Sequence, residues 1–199
     1  MSNVIKNGFI YISRTGGTTL MSTVLYSNYH CGDVRDHSTV KDNKDYDQLP
    51  ASMRDDIFLY TIMRNPFDKM LSCFYCDNRQ LSSPPDDMEF KEYVKIVTNN
   101  TSRVVELNPH WAPQVWWLKD QEDKIGVDYI GRTETLLKSV NEILEAIGAG
   151  ERLTEIGKLN GSGQRHHYSK YYDDETRKYV ESYYEEDLDF LKIKFEERH

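Results

Sequence analysis

The stretch SRTGGTT, residues 13–19, combines side chains that bind anions and follows the apolar residues 9–12. Glycines let backbone N–H groups approach a phosphate closely, threonine hydroxyls donate hydrogen bonds, and arginine supplies a permanent positive charge. If a helix begins here, its N-terminal end adds partial positive charge. The stretch therefore predicts an anion-binding loop made of Arg14, Thr15, Gly16, Gly17, Thr18 and Thr19. The alternative is a plain glycine turn that joins a strand to a helix.

A second stretch, RNPFDKMLSC, repeats this layout after the apolar residues 57–63. Asn65 suits the N-cap of a helix and Pro66 suits its first turn. Ser72 lies seven residues after Asn65, which returns it to the same helix face. Arg64 and Ser72 can therefore hold one phosphate together, although a salt bridge at the helix end is an equally simple role for Arg64. Two such sites predict a ligand with two separated anionic groups.

The hydrophobic pattern predicts the elements that position these residues. Strands are expected at residues 8–13, 57–63 and 127–132, and helices at 18–28, from 65 onward, 88–98, 111–119, 133–147 and 173–190. Strands that alternate with helices predict an α/β fold, with a central, mainly parallel sheet flanked by helices. The length of 199 residues predicts a single domain, residues 1–199.

Composition narrows the classes of partner. The net charge of -8 makes the chain a poor candidate for binding nucleic acid or an anionic membrane non-specifically. Three cysteines argue against a disulfide framework, and one CxxC pair without a second pair predicts no metal site. No apolar run approaches the roughly 20 residues of a membrane span, and the first residues lack the apolar core of a signal peptide. The expected compartment is the cytoplasm.

Five segments, in order along the chain, resemble the PAPS-dependent sulfotransferase family, and in particular its carbohydrate-type branch. ISRTGGTT and MRNPFDKMLSCFY resemble the paired cofactor motifs PKTGGT and RNPxxRxxSxY of that branch. NPHWAPQVWWL is similar to its HWxPQ segment, VDYIGRTETL to its vDfiGRfEnL segment, and residues 166–190 to its tyrosine-rich closing segment. The resemblance implies the sulfotransferase fold, which is related to that of the P-loop NTPases.

The resemblance also implies a reaction and the residues that serve it. The donor would be PAPS, the product PAP, and the acceptor a hydroxyl of a carbohydrate or a small molecule. The loop of residues 14–19 would bind the 5′ phosphosulfate, while Arg64 and Ser72 would bind the 3′ phosphate. Arg165 lies in a segment that folds over the cofactor in the family. No metal ion is implied.

The chain departs from the family pattern at two positions in the cofactor motifs. Arg14 stands where the family usually has lysine. Either side chain can neutralise charge on the bridging oxygen of the leaving group, which makes Arg14 a predicted catalytic residue, but arginine is larger and cannot give up its proton. Lys69 stands where arginine is common, at a position expected to be peripheral to the site.

A general base must accept the proton of the acceptor hydroxyl, and histidine is suited to this near neutral pH. His37 lies between the two cofactor motifs, where related enzymes often place an acceptor-side histidine. His110, a carboxylate such as Asp36 or Glu106, or no base within this chain are the alternatives. His110 and Trp111 are also the predicted acceptor-binding residues. Capping and core packing of a helix start are the simpler roles for this pair.

The sequence is also compatible with two other functions. The chain can be a PAP- or PAPS-binding protein that has lost transfer, an interpretation that rests on Arg14 in place of lysine. It can also be a nucleotide kinase on a related fold. A kinase of that class requires a P-loop lysine, and the stretch SRTGGTT lacks one.

Overall fold

The computed structural model describes residues 4–29, 57–75, 88–99, 110–120, 122–157 and 166–197. The chain divides into two compact units. Unit 1 comprises Met1–Met63 and Trp116–Asn160, and unit 2 comprises Arg64–Val115 and Gly161–His199. The chain length predicted a single domain, and whether these two units form one domain stays a prediction.

The elements follow the alternating order expected from the sequence. Within the described ranges the strands are β1 (Asn7–Ile10), β2 (Phe58–Met63) and β3 (Tyr129–Arg132). The α-helices are α1 (Gly17–Met21), α2 (Pro66–Phe74), α3 (Phe90–Asn99), α4 (Leu136–Ala146), α5 (Asp174–Tyr183) and α6 (Glu185–Leu191). Short turns of π- or 3₁₀-helix cover Leu25–Tyr29, Val115–Leu118, Thr133–Thr135 and Tyr168–Lys170.

Unit 1 is built on a parallel sheet in which β2 lies between β1 and β3. The register pairs Phe9 with Tyr60 and Tyr60 with Tyr129, and Met63 pairs with Arg132 where β2 and β3 end. Apolar residues of the strands and of α4 form one buried cluster, which includes Tyr60 and, on α4, Ile143. The prediction of an α/β fold with a parallel sheet is confirmed, and the sheet brings the ends of its strands to one edge.

Unit 2 is helical and has a core rich in aromatic residues. α2, α3, α5 and α6 surround a buried cluster that includes Phe67, Tyr93, Trp111, Tyr168 and Tyr184. Phe67 stacks on Tyr168, with ring centroids 5.7 Å apart. Burying large rings with few rotatable bonds stabilises a helical unit at a small cost in side-chain entropy.

Three predicted helices are shorter than their hydrophobic pattern suggested. The helix expected at 18–28 ends at Met21, where the hydroxyls of Ser22 and Thr23 donate to backbone carbonyls three residues earlier, at 2.7 and 2.6 Å. Such local bonds compete with the helical ladder. The helix expected at 173–190 breaks at Tyr184. The helix expected at 111–119 is reduced to the turn Val115–Leu118.

Candidate cofactor-binding site

The loop after β1 has a backbone shaped by two left-handed residues. Arg14 has φ 66 and Gly16 has φ 92. Glycine adopts this region freely, whereas a residue with a side chain pays about 1–3 kcal/mol, and such conformations cluster at functional sites. Gly17 is required for a different reason, since a Cβ at this position would lie 2.2 Å from a ring carbon of Tyr11. The conformation of the loop backbone therefore depends on the glycines at positions 16 and 17.

The hydroxyls of two threonines hold this loop in place. The buried Thr15 hydroxyl donates to the carbonyl of Ile12 at 2.7 Å, so its single proton is used within the loop. Thr133, just after β3, donates its hydroxyl to the carbonyl of Thr15 and lies 3.3 Å from the carbonyl of Met63. The loop is thereby linked to the end of β2. Thr18 is exposed, which leaves it as a hydroxyl on the outside of the loop.

The helix that follows this loop is short. α1 has five residues and begins at Gly17, with the N–H of Leu20 donating to the carbonyl of Gly16 at 3.0 Å. The sequence predicted an eleven-residue helix whose dipole would favour an anion, and a five-residue helix contributes less of that charge. Arg14 and the backbone N–H groups of the loop are therefore the main groups that this segment offers to an anion.

The turn after β2 begins a well-capped helix. The side chain of Asn65 accepts the N–H of Phe67 at 3.0 Å, and Pro66 occupies the first turn of α2, as predicted. The guanidinium of Arg64 contacts one oxygen of Asp68, with Nε at 2.8 Å and Nη2 at 2.7 Å. The salt bridge considered for Arg64 is present. Binding of a 3′ phosphate by Arg64 stays a prediction, and so does the role of Ser72, which is 2% exposed on α2.

Sequence reasoning missed Gln114, a fully buried side chain beside Arg64. Its Oε1 accepts the backbone N–H of Arg64 at 2.8 Å, and its Nε2 donates to the carbonyl of Arg64 at 2.8 Å. The motif HWxPQ contains this glutamine, but the motif alone does not reveal its partner 50 residues earlier in the chain.

Asp187 of α6 is the second residue that the sequence did not single out. One carboxylate oxygen accepts the backbone N–H of Gln114 at 2.8 Å and its Nε2 at 3.2 Å, and the other accepts the N–H of Val115 at 2.8 Å. Burial raises the pKa of Asp187 above its ordinary value, while these N–H groups oppose the rise. These bonds also explain why residues 111–119 do not form a regular helix, since the amides of Gln114 and Val115 bind a side chain instead.

Lys69 corrects an expectation from the sequence. It was expected at the periphery, yet its side chain is fully buried in unit 2. Its Nζ donates to the carbonyl of His110 at 2.5 Å and to that of Ala112 at 3.2 Å, and it lies 5.3 Å from the centre of the Tyr184 ring. A buried charge is costly unless it is bonded in this way. Lys69 therefore braces the same segment that Asp187 holds.

The predicted acceptor residues lie in this braced segment. Trp111 is 9% exposed, its Nε1 donates to the hydroxyl of Tyr93 at 2.9 Å, and its carbonyl accepts the hydroxyl of Tyr184 at 2.7 Å. The half-buried His110 contributes its carbonyl to Lys69. Core packing, the simpler of the two roles considered, accounts for Trp111. An acceptor-binding role for either residue stays a prediction.

The remaining predicted site residues lie outside the described residues. They are His37, its alternatives Asp36 and Glu106, and Arg165. Their roles stay predictions. In the part of the chain that is described, no helix combines the length and the apolar character needed to cross a membrane.

Comparison with known proteins gives one family and one similar structure. The model of the Sulfotransferase family matches residues 3–194. No curated protein sequence matches the chain. The chain is similar, at 14% identity and a TM-score of 0.45, to a crystal structure of retinol dehydratase in complex with androsterone and the inactive cofactor PAP. The match covers 90% of this chain and 59% of that one, so this chain spans less than two thirds of the length of the protein that it resembles.

Proposed function

Because this chain belongs to the Sulfotransferase family, we propose that it transfers a sulfuryl group from PAPS to an acceptor hydroxyl and releases PAP. The observation that carries the proposal is the loop after β1. It follows a strand of a parallel sheet and has left-handed residues at Arg14 and Gly16. Loops of this kind direct backbone N–H groups toward a bound phosphate. The family match, over residues 3–194, includes this loop.

In this proposal the loop of residues 14–19 binds the 5′ phosphosulfate. Arg14 supplies positive charge, the amides of Gly16 and Gly17 donate hydrogen bonds, and Thr18 adds a hydroxyl. Arg64 and Ser72 bind the 3′ phosphate. Charge-assisted hydrogen bonds from a guanidinium suit a phosphate group, because a planar fork matches two of its oxygens.

The transfer itself requires positioning and charge stabilisation more than covalent chemistry. The acceptor oxygen forms a bond to sulfur, the bond from sulfur to the bridging oxygen of PAPS breaks, and PAP leaves. Arg14 stabilises the negative charge that develops on the departing phosphate. His37 accepts the proton of the acceptor hydroxyl, with His110, Asp36 and Glu106 as the other candidates for that role.

The proposal also includes the class of acceptor and the cellular compartment. The carbohydrate-type motifs favour a carbohydrate acceptor, and a small hydroxylated molecule is the alternative. We propose the cytoplasm as the compartment, on the basis of the low cysteine content and the buried thiol of Cys73.

Arg14 favours one second candidate function, which is binding of PAP or PAPS without transfer. Arginine cannot lose its proton, and here it stands in a left-handed conformation where the family motif has lysine. The donor would still bind, since the charge is kept. A measurement of transfer separates this candidate from the enzyme.

The first experiment measures binding by calorimetry, with PAP, 5′-AMP, and ATP with Mg²⁺ as ligands. We expect PAP to bind more tightly than 5′-AMP, because each lost charge-assisted bond to the 3′ phosphate costs about 1.5–3 kcal/mol. Equal affinities for PAP and 5′-AMP would contradict the roles of Arg64 and Ser72. Preference for ATP with Mg²⁺ would favour a kinase.

The second experiment measures transfer from radiolabelled PAPS to a panel of glycans, peptides and phenols. Transfer to any acceptor supports the enzyme, and PAP binding without transfer favours the binding protein. On the acceptor found, His37→Ala should lower turnover about 10²–10⁴-fold and leave PAP affinity nearly unchanged, because a general base faces the acceptor. Normal turnover of His37→Ala would exclude His37, and His110→Ala would be measured next.

A further inference from the structure

The backbone of Arg64 is held by a side chain that comes from a distant part of unit 2. β2 ends at Met63 and α2 begins at Pro66, so the N–H and the carbonyl of Arg64 belong to neither element. The carboxamide of Gln114 pairs with both groups, at 2.8 Å each. It therefore fixes the backbone of Arg64 in the two-residue gap between these elements.

The orientation of this carboxamide is determined by the chemistry of its partners. Nε2 faces two acceptors, the carbonyl of Arg64 and a carboxylate oxygen of Asp187. Oε1 faces a donor, the N–H of Arg64. With the two ends exchanged, oxygen would face two acceptors and the NH₂ group would face a donor. Asp187 therefore helps to determine the orientation in which the carboxamide of Gln114 contacts Arg64.

Asp187 can do this because it is itself fixed. Its carboxylate is fully buried and accepts the backbone N–H groups of Gln114 and Val115, both at 2.8 Å. On the other side of the segment, Lys69 donates to the carbonyls of His110 and Ala112. The segment that begins at His110 is thus held by two buried side chains. The carboxylate of Asp187 accepts its backbone N–H groups, and the ammonium group of Lys69 donates to its carbonyls.

The side chain of Arg64 is anchored as well. Its Nε and Nη2 both contact Oδ2 of Asp68, one turn later on α2. An arginine held at its backbone and at one edge of its guanidinium loses little conformational freedom when it binds an anion, and preorganisation of this kind raises affinity. We propose that Gln114, oriented by Asp187, is a positioning residue for Arg64 in the binding of an anionic group, the 3′ phosphate of PAP.

This proposal gives the HWxPQ-like segment a second role. The sequence associates that segment with the acceptor through His110 and Trp111. Its glutamine, however, contacts Arg64, which belongs to the predicted cofactor motif MRNPFDKMLSCFY. The proposal rests on the proposed function for the identity of the anion. The contacts on which it depends lie within unit 2 and are independent of that identity.

The test compares Gln114→Met, which keeps the length of the side chain and removes both bonds to Arg64, with a matched control. The control is Thr98→Val, which removes a buried hydrogen bond in α3, from the Thr98 hydroxyl to the carbonyl of Val94 at 2.8 Å. Calorimetry with PAP and with 5′-AMP isolates the contribution of the 3′ phosphate. We expect Gln114→Met to weaken PAP about tenfold and 5′-AMP less than about twofold, since a misplaced arginine affects only the group that it binds. Thr98→Val should leave both affinities unchanged.

Equal weakening of PAP and 5′-AMP in Gln114→Met, or no weakening of either, would overturn the proposal. A general loss of stability would weaken both ligands, and the 5′-AMP measurement detects it. If Gln114→Met does not fold, Asp187→Asn is measured in its place, because it keeps the side-chain volume and disturbs the orientation of Gln114. The same difference between PAP and 5′-AMP is expected for it.

Hydrogen exchange of the ligand-free protein keeps this test separate from the proposed function. In wild type the amide of Arg64 should exchange slowly, and in Gln114→Met it should exchange at least about tenfold faster, while the amides of α2 and α3 keep their rates. If wild type does not bind PAP, the proposed function fails and exchange alone decides whether Gln114 positions Arg64. Unchanged exchange at Arg64 would overturn the inference even if PAP binds.

Discussion

The turn after β1 and the turn after β2 each lead from a buried strand into a helix, yet they are held in different ways. The first takes its shape mainly from nearby residues, with left-handed Arg14 and Gly16 and the close approach of Gly17 to Tyr11, and one distant hydroxyl, that of Thr133, is bonded to it. The second uses an ordinary helix cap at Asn65 and a carboxamide from 50 residues further along the chain. The conformation of the first turn can largely be predicted from the nearby sequence, whereas the contact that holds the second turn cannot.

The two turns should therefore fail in different ways. Changes within residues 14–17 should disturb the first turn directly. The second turn should be sensitive to residues far from it, because its support rests on the buried side chain of Asp187. The following changes test that difference, from the largest expected effect to the smallest.

Asp187→Ala should cause the largest loss of stability. It leaves the buried backbone N–H groups of Gln114 and Val115 without their acceptor, and it leaves Nε2 of Gln114 with the carbonyl of Arg64 alone. Removing one partner from a buried charged network typically costs about 3–5 kcal/mol. Urea unfolding measures the change, and Asp189→Ala, an exposed position on the same helix, is the control. A loss below about 1 kcal/mol would show that the brace is not important for stability.

Arg14→Ala should lower transfer about 10²–10³-fold, the usual cost of removing one group that stabilises charge in the transition state. PAP affinity should fall less, because the charge is needed most as the leaving group forms. Arg14→Lys should keep or raise the rate. Steady-state kinetics and calorimetry measure both quantities. Equal losses of rate and affinity in Arg14→Ala would show that Arg14 only binds the donor.

Gly17→Ala should destabilise the first turn by about 1–3 kcal/mol, as an overpacked contact does, since the added Cβ would lie 2.2 Å from the Tyr11 ring. Gly157→Ala is the matched control in the same unit, because a Cβ there meets nothing within 4 Å. Gly17→Ala should lower both the thermal unfolding midpoint and the affinity for PAP, and Gly157→Ala should change neither. Tyr11→Ala should relieve the clash in a double variant, and failure to do so would contradict this account.

Thr133→Val should weaken the attachment of the first turn to the sheet by about 1 kcal/mol, the net value of one hydrogen bond. The hydroxyl that it removes donates to the carbonyl of Thr15. Thr133→Ser keeps the hydroxyl and should behave like wild type. Exchange of the amides in residues 15–19 is the measurement. The same exchange rates in both variants would show that the bond does not hold the loop.

Glu175→Gln should have the smallest effect, a small loss of stability that is present above about pH 4.5 and disappears in acid. Glu175 contacts Lys91 at 2.6 Å and Lys95 at 2.8 Å, and these bonds lower its pKa to about 2 from the ordinary 4.5. A carboxyl with a lowered folded pKa contributes its stability above about pH 4.5 and loses it as the pH falls toward 2. The variant should therefore show a flatter dependence of the urea midpoint on pH in that range. Glu151→Gln, at an exposed position outside the helices and strands, should keep the wild-type slope.

Much of unit 1 was predictable because its signals are local. The apolar runs predicted each strand, and the glycines in SRTGGTT predicted the loop that follows β1. Membership of the Sulfotransferase family, suggested by five motifs in order, is confirmed by the match over residues 3–194. The break after Met21 was not predicted, since hydroxyl bonds to the preceding turn do not change the apolar pattern.

The sequence by itself determined the order of the elements, the cap at Asn65 and the composition of both turns, because these depend on neighbours along the chain. Only the tertiary structure decided that Lys69 is buried and that Asp187 holds Gln114 against Arg64. A lysine or an aspartate looks the same in a sequence whether it lies on the surface or in a core. Burial and the partners that compensate it depend on residues up to 73 positions apart, which are brought together only by folding.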